Sequence, residues 1–144
     1  MKIDSELLEV SSHDGAGYAP VVDFGAWRVA LMNRSDDCAT GGLARMERHN
    51  ETDEVFVLLE GSAILFVGEP AENGSGIGRI HACPMERSKL YNVRRSAWHA
   101  CALSGEAKVL IVENRDTTEA NSDYVDFDDA QRADLSRAAA SLGD

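Results

Sequence analysis

Short apolar segments separated by turn residues are the feature that most restricts the fold of this chain. Each segment is rich in β-branched or aromatic residues and is too short for an ordinary helix, which is typical of strands. Gly61 lies in so short a gap between two of them that a hairpin is expected there. Many short strands at this spacing favour an all-β sandwich or barrel. The predicted strands are Trp27–Asn33, Leu43–His49, Glu54–Leu59, Ala63–Val67, Lys89–Val93, His99–Leu103 and Lys108–Glu113.

Two further stretches predict other structures. The segment 68–78 contains four glycines and a proline, so we expect a long loop or the tip of a wide hairpin. Near the carboxyl end we expect one α-helix, with Asp126 as its N-cap and Gly143 as its stop signal. The helix would pack on the outside of the barrel or on a partner subunit. Its apolar face, at helical spacing, is Leu135, Ala138, Ala139 and Leu142.

Length and composition predict one domain. The chain has 144 residues, 44% hydrophobic and 27% charged, which is sufficient for a single globular core. We expect residues 1–144 to form that domain, with a barrel over about 21–114 and an acidic segment and helix over about 115–143. Seven acids and only Arg115 as a base lie between Glu113 and Asp129, so this part is expected to be a solvated loop and helix start.

Charge and cysteine content exclude several classes of function. The net charge of −11 disfavours binding to nucleic acid or to anionic membranes, which depends on lysine and arginine. No apolar run approaches the roughly 20 residues that cross a bilayer. The three cysteines, Cys38, Cys83 and Cys101, cannot all pair within one chain. We therefore expect a cytoplasmic protein without a disulfide framework.

The segment 41–61 carries the residues that suggest chemistry. Glu47 and His49 share one face of a predicted strand, and the turn after them returns the chain so that Glu54 can face them. A further strand that opens at His99 can complete the set. Imidazole and carboxylate ligands together suit a divalent Mn, Fe, Ni, Co or Zn ion, with coordination positions left open.

This segment resembles the first motif of the cupin superfamily. Its glycines at Gly41 and Gly61, its second histidine at His49 and its glutamate at Glu54 occupy the family's positions, while Glu47 replaces the first histidine. The resemblance implies a double-stranded β-helix, or jelly-roll, barrel and a metal held by His49 and Glu54. For Glu47 two roles stay open. As a carboxylate it could also bind the metal, or it could instead form an ion pair with Arg45 or Arg48.

The second cupin motif is degraded. His99 stands at its histidine position and so is a fourth implied ligand, but Arg94, Ser96 and Leu103 replace the usual proline, glycine and asparagine. Beyond the motifs, the chain resembles a group of small single-domain bacterial cupins, of the cupin 2 type, with no settled reaction. Cupins commonly dimerise, and the resemblance implies a homodimer.

Strand alternation predicts the surroundings of the cluster. Arg45 shares a face with Glu47, and Cys101 shares one with His99. We expect Cys101 to be a small buried residue, although a thiolate ligand is the alternative. The predicted pocket is lined by Arg45, Phe56, Leu58, Cys101 and Leu103.

Two functions fit these predictions. The first is a metal-dependent enzyme, such as an isomerase, lyase or dioxygenase, acting on a small polar metabolite of carbohydrate or hydroxy-acid type. The second is a non-catalytic module that binds a sugar or another small molecule. The fold alone cannot decide between them, because the same barrel carries many activities.

Overall fold

Ten strands and one α-helix form the part of the chain that a computed structural model describes, residues 2–39 and 41–142. Short 3₁₀ helices lie at Asp36–Cys38, Glu119–Asn121 and Ala140–Leu142. The main elements are β1 (Gly17–Phe24), β2 (Trp27–Asn33), β3 (Arg45–His49), β4 (Glu54–Glu60), β5 (Ala63–Pro70), β6 (Ile77–Pro84), β7 (Leu90–Val93), β8 (Trp98–Leu103), β9 (Lys108–Asn114), β10 (Ser122–Asp126) and α1 (Asp129–Ala139).

The strands form two five-stranded antiparallel sheets with a core between them. The first sheet has the order β1-β2-β9-β4-β7, and the second has the order β10-β3-β8-β5-β6. Alternate side chains of both sheets meet in this core, including Phe56 and Ile111 from the first and Leu65 and Leu103 from the second. The predicted all-β class with a carboxyl-terminal helix is therefore confirmed, and two antiparallel sheets of this kind are consistent with a jelly-roll barrel.

The hairpin between β4 and β5 depends on a glycine. Gly61 has a φ of +68°, a backbone conformation that residues with a side chain rarely adopt. A Cβ at this position would lie 2.6 Å from the backbone of Ala107. The residue is thus required both by the turn and by the close approach of the chain between β8 and β9.

Helix α1 covers the outer face of the second sheet. Leu135 and Ala139 pack there against Met46, Phe66 and other buried side chains of β3, β5 and β8. Of the two placements expected from the sequence, the outside of the barrel and a partner subunit, the structure shows the first. No helix in the described ranges is long and apolar enough to span a membrane.

The predicted N-cap of the helix was wrong. Asp126 ends β10, and the N-cap is Asp128. The Asp128 carboxylate accepts a hydrogen bond from the Gln131 backbone amide, and the Gln131 side-chain oxygen accepts one from the Asp128 backbone amide. This reciprocal capping box starts the helix two residues later than expected. Gly143, predicted to stop the helix, lies outside the described residues.

Three strands were not predicted from the sequence. The expected loop at 68–78 is shorter, because β5 continues to Pro70 and β6 begins at Ile77. Strand β6 is an exposed edge strand, so its sequence has little apolar alternation. Strand β10 lies within the segment expected to be a solvated loop, and β1 lies in the glycine-rich amino-terminal part. Both are edge strands with many polar side chains.

Candidate metal centre

Four potential ligands from three strands meet at one end of the space between the sheets. The Oε2 atom of Glu54 lies 3.0 Å from His49 Nε2 and 2.8 Å from His99 Nε2. The Oε1 atom of Glu47 lies 3.7 Å from His49 Nε2 and 3.8 Å from His99 Nε2. One ligand atom from each residue can be chosen so that all four lie within 4.8 Å of one another. The sequence-predicted ligands are thus brought together.

The strand pairing and the turns explain this convergence. Glu47 of β3 is the direct partner of His99 in β8, so these two side chains project from neighbouring strands on one face. Glu54 opens β4 in the opposite sheet. The Asp53 carboxylate before it accepts hydrogen bonds from the Arg95 backbone amide, at 2.7 Å, and from the Asn92 side chain, at 3.1 Å. The turn before β4 is thereby tied to the turn before β8.

Two serines in the turns on either side of β7 adopt a backbone conformation that favours glycine. Ser88 and Ser96 have φ values of 66° and 65°, and they are the only non-glycine residues with positive φ in the described ranges. Ser96 stands at the glycine position of the second motif, three residues before His99. The Ser96 amide also donates to the His49 carbonyl, at 2.8 Å. The degraded motif therefore still places His99 beside His49.

Hydrogen bonds orient both imidazoles toward the cluster. His99 Nδ1 lies 3.0 Å from the carbonyl oxygen of Ala97, which can only accept, so Nδ1 carries the proton. In the neutral ring, Nε2 then keeps its lone pair for a ligand. His49 Nδ1 lies 2.7 Å from the Ser122 hydroxyl, which holds this ring with its Nε2 directed at Glu54. Such partners on the far nitrogen are typical of metal-binding histidines.

Two buried polar atoms in the cluster have no hydrogen-bond partner. They are Glu54 Oε2 and His99 Nε2, and no other buried side-chain nitrogen or oxygen of residues 2–39 and 41–142 is in this state. The atoms lie 2.8 Å apart and form no hydrogen bond with each other. Neighbouring ligands of a single ion, each about 2.0–2.2 Å from it, lie about 3 Å apart. The donor set therefore fits a metal ion.

The pKa values of the cluster's carboxyl and imidazole groups depend on one another. Burial raises the pKa of the Glu54 carboxyl, but the two imidazoles outweigh burial and hold that pKa well below its usual range. Burial lowers the pKa of His49 and of His99, and the Glu54 carboxylate outweighs it, so both pKa values are raised. Burial also raises the pKa of Glu47. The cluster thus favours positive charge on the nitrogens that face Glu54.

The cluster opens into a cavity of about 530 Å³. Of the predicted lining residues, Arg45, Phe56 and Cys101 do line it. Leu58 and Leu103 do not, because they lie deeper in the core between the sheets. Cys101 is buried, and burial raises the pKa of its thiol, which disfavours a thiolate ligand.

A second buried polar group lies beside the cluster and was missed in the sequence. Glu113 Oε1 accepts hydrogen bonds from the Tyr18 hydroxyl, at 2.6 Å, and from Arg28 Nη2, at 2.8 Å. Its Oε2 atom lies 3.9 Å from His49 Nε2. Glu113 follows Val109 and Ile111 at every second position of β9, so strand alternation could have placed it inside. Tyr18 belongs to the unpredicted strand β1.

Comparison with known proteins gives matches at the level of structure. No protein-family model matches the sequence, and no curated protein does. A cupin-2 domain containing protein from Shewanella frigidimarina is 15% identical, with a TM-score of 0.51, over 72% of this chain and 85% of that one. Pac13, a nucleoside dehydratase, is 10% identical, with a TM-score of 0.55, over 80% of this chain and 83% of that one. A variant of Streptomyces Pac13 with uridine matches equally well.

Proposed function

The chain has a cupin fold, and from that premise we propose that it is a metal-dependent enzyme acting on a small polar metabolite of carbohydrate or hydroxy-acid type. The observation that carries the proposal is the pair of buried atoms without partners, Glu54 Oε2 and His99 Nε2, beside a second imidazole and a second carboxylate. Leaving buried polar groups unpaired is costly, so their retention in one small space is explained best by a bound cation.

His49, Glu54 and His99 would hold the ion, with Glu47 as the fourth ligand. A mixed nitrogen and oxygen set suits a divalent Mn, Fe, Ni, Co or Zn ion, and the composition does not select one of them. When bound, the ion supplies Lewis acidity to a carbonyl or hydroxyl oxygen of the substrate. The cavity of about 530 Å³ is within the range of small-molecule sites.

The residues of the chain would position the substrate and move protons. Phe56 is buried and packs edge-on against the His99 ring, with 5.8 Å between ring centres, which excludes water from that side. The Glu47 side chain is 41% exposed and its pKa is raised, so its carboxylate is suited to accept a proton where it does not ligate. Glu113 Oε2 is a second carboxylate oxygen near the ligands.

A non-catalytic binding module is the second candidate, and the hydrogen bonds of Glu113 favour it. This carboxylate is held by Tyr18 and by Arg28, and a Glu47 engaged as a ligand could not also move a proton. Neither of the two carboxylates next to the proposed ligands, Glu47 and Glu113, would then be free to act as a general base. A sensor or sugar-binding domain requires none.

Metal content and turnover separate these candidates. We expect the purified chain to hold a transition metal, and we expect His49→Ala and His99→Ala to lose it. Absence of bound metal, together with unchanged metal affinity in both variants, would exclude the proposal. With metal bound, a metabolite that is converted supports the enzyme, whereas one that only raises the melting temperature supports the binding module.

The homodimer implied by the sequence stays a proposal. Phe24 and Trp27, joined by the turn between β1 and β2, are 74% and 42% exposed, with 6.4 Å between ring centres. Exposed aromatic pairs of this kind are typical of protein interfaces. Light scattering should give the mass of two chains at micromolar concentration. A mass of one chain that persists as concentration rises would contradict a dimer.

A further inference from the structure

The two arginines that line the cavity, Arg28 and Arg45, differ in the partners of their guanidinium groups. Arg28 is fully engaged, since it donates to the Glu113 carboxylate, to the Arg115 carbonyl and to the Thr117 carbonyl. Arg45 forms no ion pair with a carboxylate of the described residues. Its guanidinium lies 4.5 Å from the centre of the Tyr124 ring. Arg45 is therefore the one unpaired cation among the lining residues that the structure describes.

The strand register places Arg45 next to the proposed ligands. Arg45, Glu47 and His49 are alternate residues of β3, so their side chains share one face. Tyr124 of β10 is the direct partner of Glu47. Successive alternate residues are about 6.6 Å apart along a strand, so the guanidinium lies within reach of a small ligand that touches the metal ligands.

A cation–π contact with an aromatic ring holds an arginine without using its hydrogen bonds. The contact depends on the charge of the guanidinium, so its five N–H donors stay available. Those donors form a planar fork that matches two oxygens of a carboxylate or a phosphate. Arg45 is thus oriented but still able to bind an anion.

The carboxylates nearest the proposed metal have cations other than Arg45. A divalent cation would neutralise Glu47 and Glu54, and Arg28 neutralises Glu113. Asp37 and Glu119, the other acids that line the cavity, and Asp126, the direct partner of Arg45 in β10, are exposed, as Arg45 is, and none of them forms an ion pair with it.

We propose that Arg45 binds an anionic group of the ligand, so that the site takes an acidic metabolite, such as a hydroxy acid or a phosphorylated polyol, rather than a neutral carbohydrate. The anionic group would lie on the guanidinium fork while another oxygen of the same molecule reaches the metal group. This inference rests on the proposed metal-binding function and narrows its substrate class.

Calorimetry of the metal-loaded protein with matched probes tests the inference. Gluconate is compared with sorbitol, and glycerol phosphate is compared with glycerol, so that each pair differs chiefly in its anionic group. We expect at least one anion to bind about tenfold or more tightly than its neutral counterpart, because a charge-assisted hydrogen bond contributes at this level. The two anions distinguish a carboxylate from a phosphate.

Two variants assign the effect to Arg45. In Arg45→Gln the advantage of the anion should disappear, while metal affinity stays unchanged. Arg79→Gln is the matched control, because Arg79 is an exposed arginine of β6 that does not line the cavity, and it should bind the anion as the natural chain does.

The outcomes separate this inference from the proposed function. If the natural chain binds no metal, the proposed function fails. If it binds metal but takes neither anion more tightly than the neutral probe, the role of Arg45 is excluded. An anion advantage that survives in Arg45→Gln excludes it as well.

Discussion

Replacing Glu54 by glutamine tests the cluster with the smallest change of shape. Glu54 is only 5% exposed, and one of its oxygens lies 3.0 Å and 2.8 Å from the two imidazole nitrogens. Glutamine keeps the volume and removes the negative charge that a cation needs. Loss of a partner that merely orients a metal ligand lowers affinity by about 10–100-fold, so loss of a ligand should lower it by more than about 100-fold.

The effect on stability follows from the affinity. Free metal at about 100 times its dissociation constant stabilises a folded protein by about 2.7 kcal/mol. In a chain of this length that corresponds to a rise in melting temperature of roughly 5–10 °C. At the same metal concentration, a Glu54→Gln protein with at least 100-fold weaker affinity would be at most about half occupied, so its stabilisation would be at most about 0.4 kcal/mol, or roughly 1–1.5 °C.

Thermal unfolding with and without metal measures this difference. Glu60→Gln is the matched control, since it makes the same substitution at an exposed position of the same strand. It should keep the full metal-dependent rise. Refutation would be a Glu54→Gln protein that folds and gains as much from metal as the natural chain does.

Four further predictions follow from the structure. Because the pKa values of His49 and His99 are raised, their protonation stabilises the metal-free protein below the unfolded value of about 6.5, and this stability is lost as pH rises through the raised values. Thermal unfolding of metal-free protein should therefore give a lower melting temperature near pH 9 than near pH 6. The opposite order would show that protonated imidazoles do not stabilise the folded chain. Metal affinity should instead increase with pH, because ligating imidazoles must lose their protons; a titration that shows no pH dependence would argue against histidine ligands. Arg28→Gln should lower the free energy of unfolding in urea by about 3 kcal/mol, because it leaves the buried Glu113 carboxylate without its cation; a change below about 1 kcal/mol would show that the pair contributes little. Ser88→Gly should raise the free energy of unfolding by about 1 kcal/mol, because glycine adopts the positive φ of 66° without strain, and a loss of stability would refute this.

The central strands could be predicted because their pattern depends on local burial. Strand β2 has the predicted bounds, and β4, β8 and β9 differ from them by one residue at one end. Each lies inside a sheet and is covered on at least one face, so its apolar residues recur as the strand period requires. Edge strands such as β6 and β10 lack this signal, since water satisfies their polar faces.

The ligands could also be predicted, but their supporting residues could not. His49 and Glu54 lie in the first motif and His99 stands at the histidine position of the second, whereas Ser122 belongs to neither motif and lies 73 residues after the histidine that it orients. The serine of the second motif illustrates a further limit. A serine in place of the expected glycine at Ser96 gives no sign in the sequence of a positive φ. Only the structure shows that the backbone adopts one there.

The identity of the atoms around the bound metal tests the central claim most directly. X-ray absorption of the metal-loaded protein reports the number and type of neighbouring atoms. The structure predicts two imidazole nitrogens and additional oxygen neighbours at about 2.0–2.2 Å, and no sulfur, because the proposed ligands are His49, His99, Glu54 and Glu47. A sulfur neighbour at about 2.3 Å, or a metal without imidazole, would contradict this metal centre.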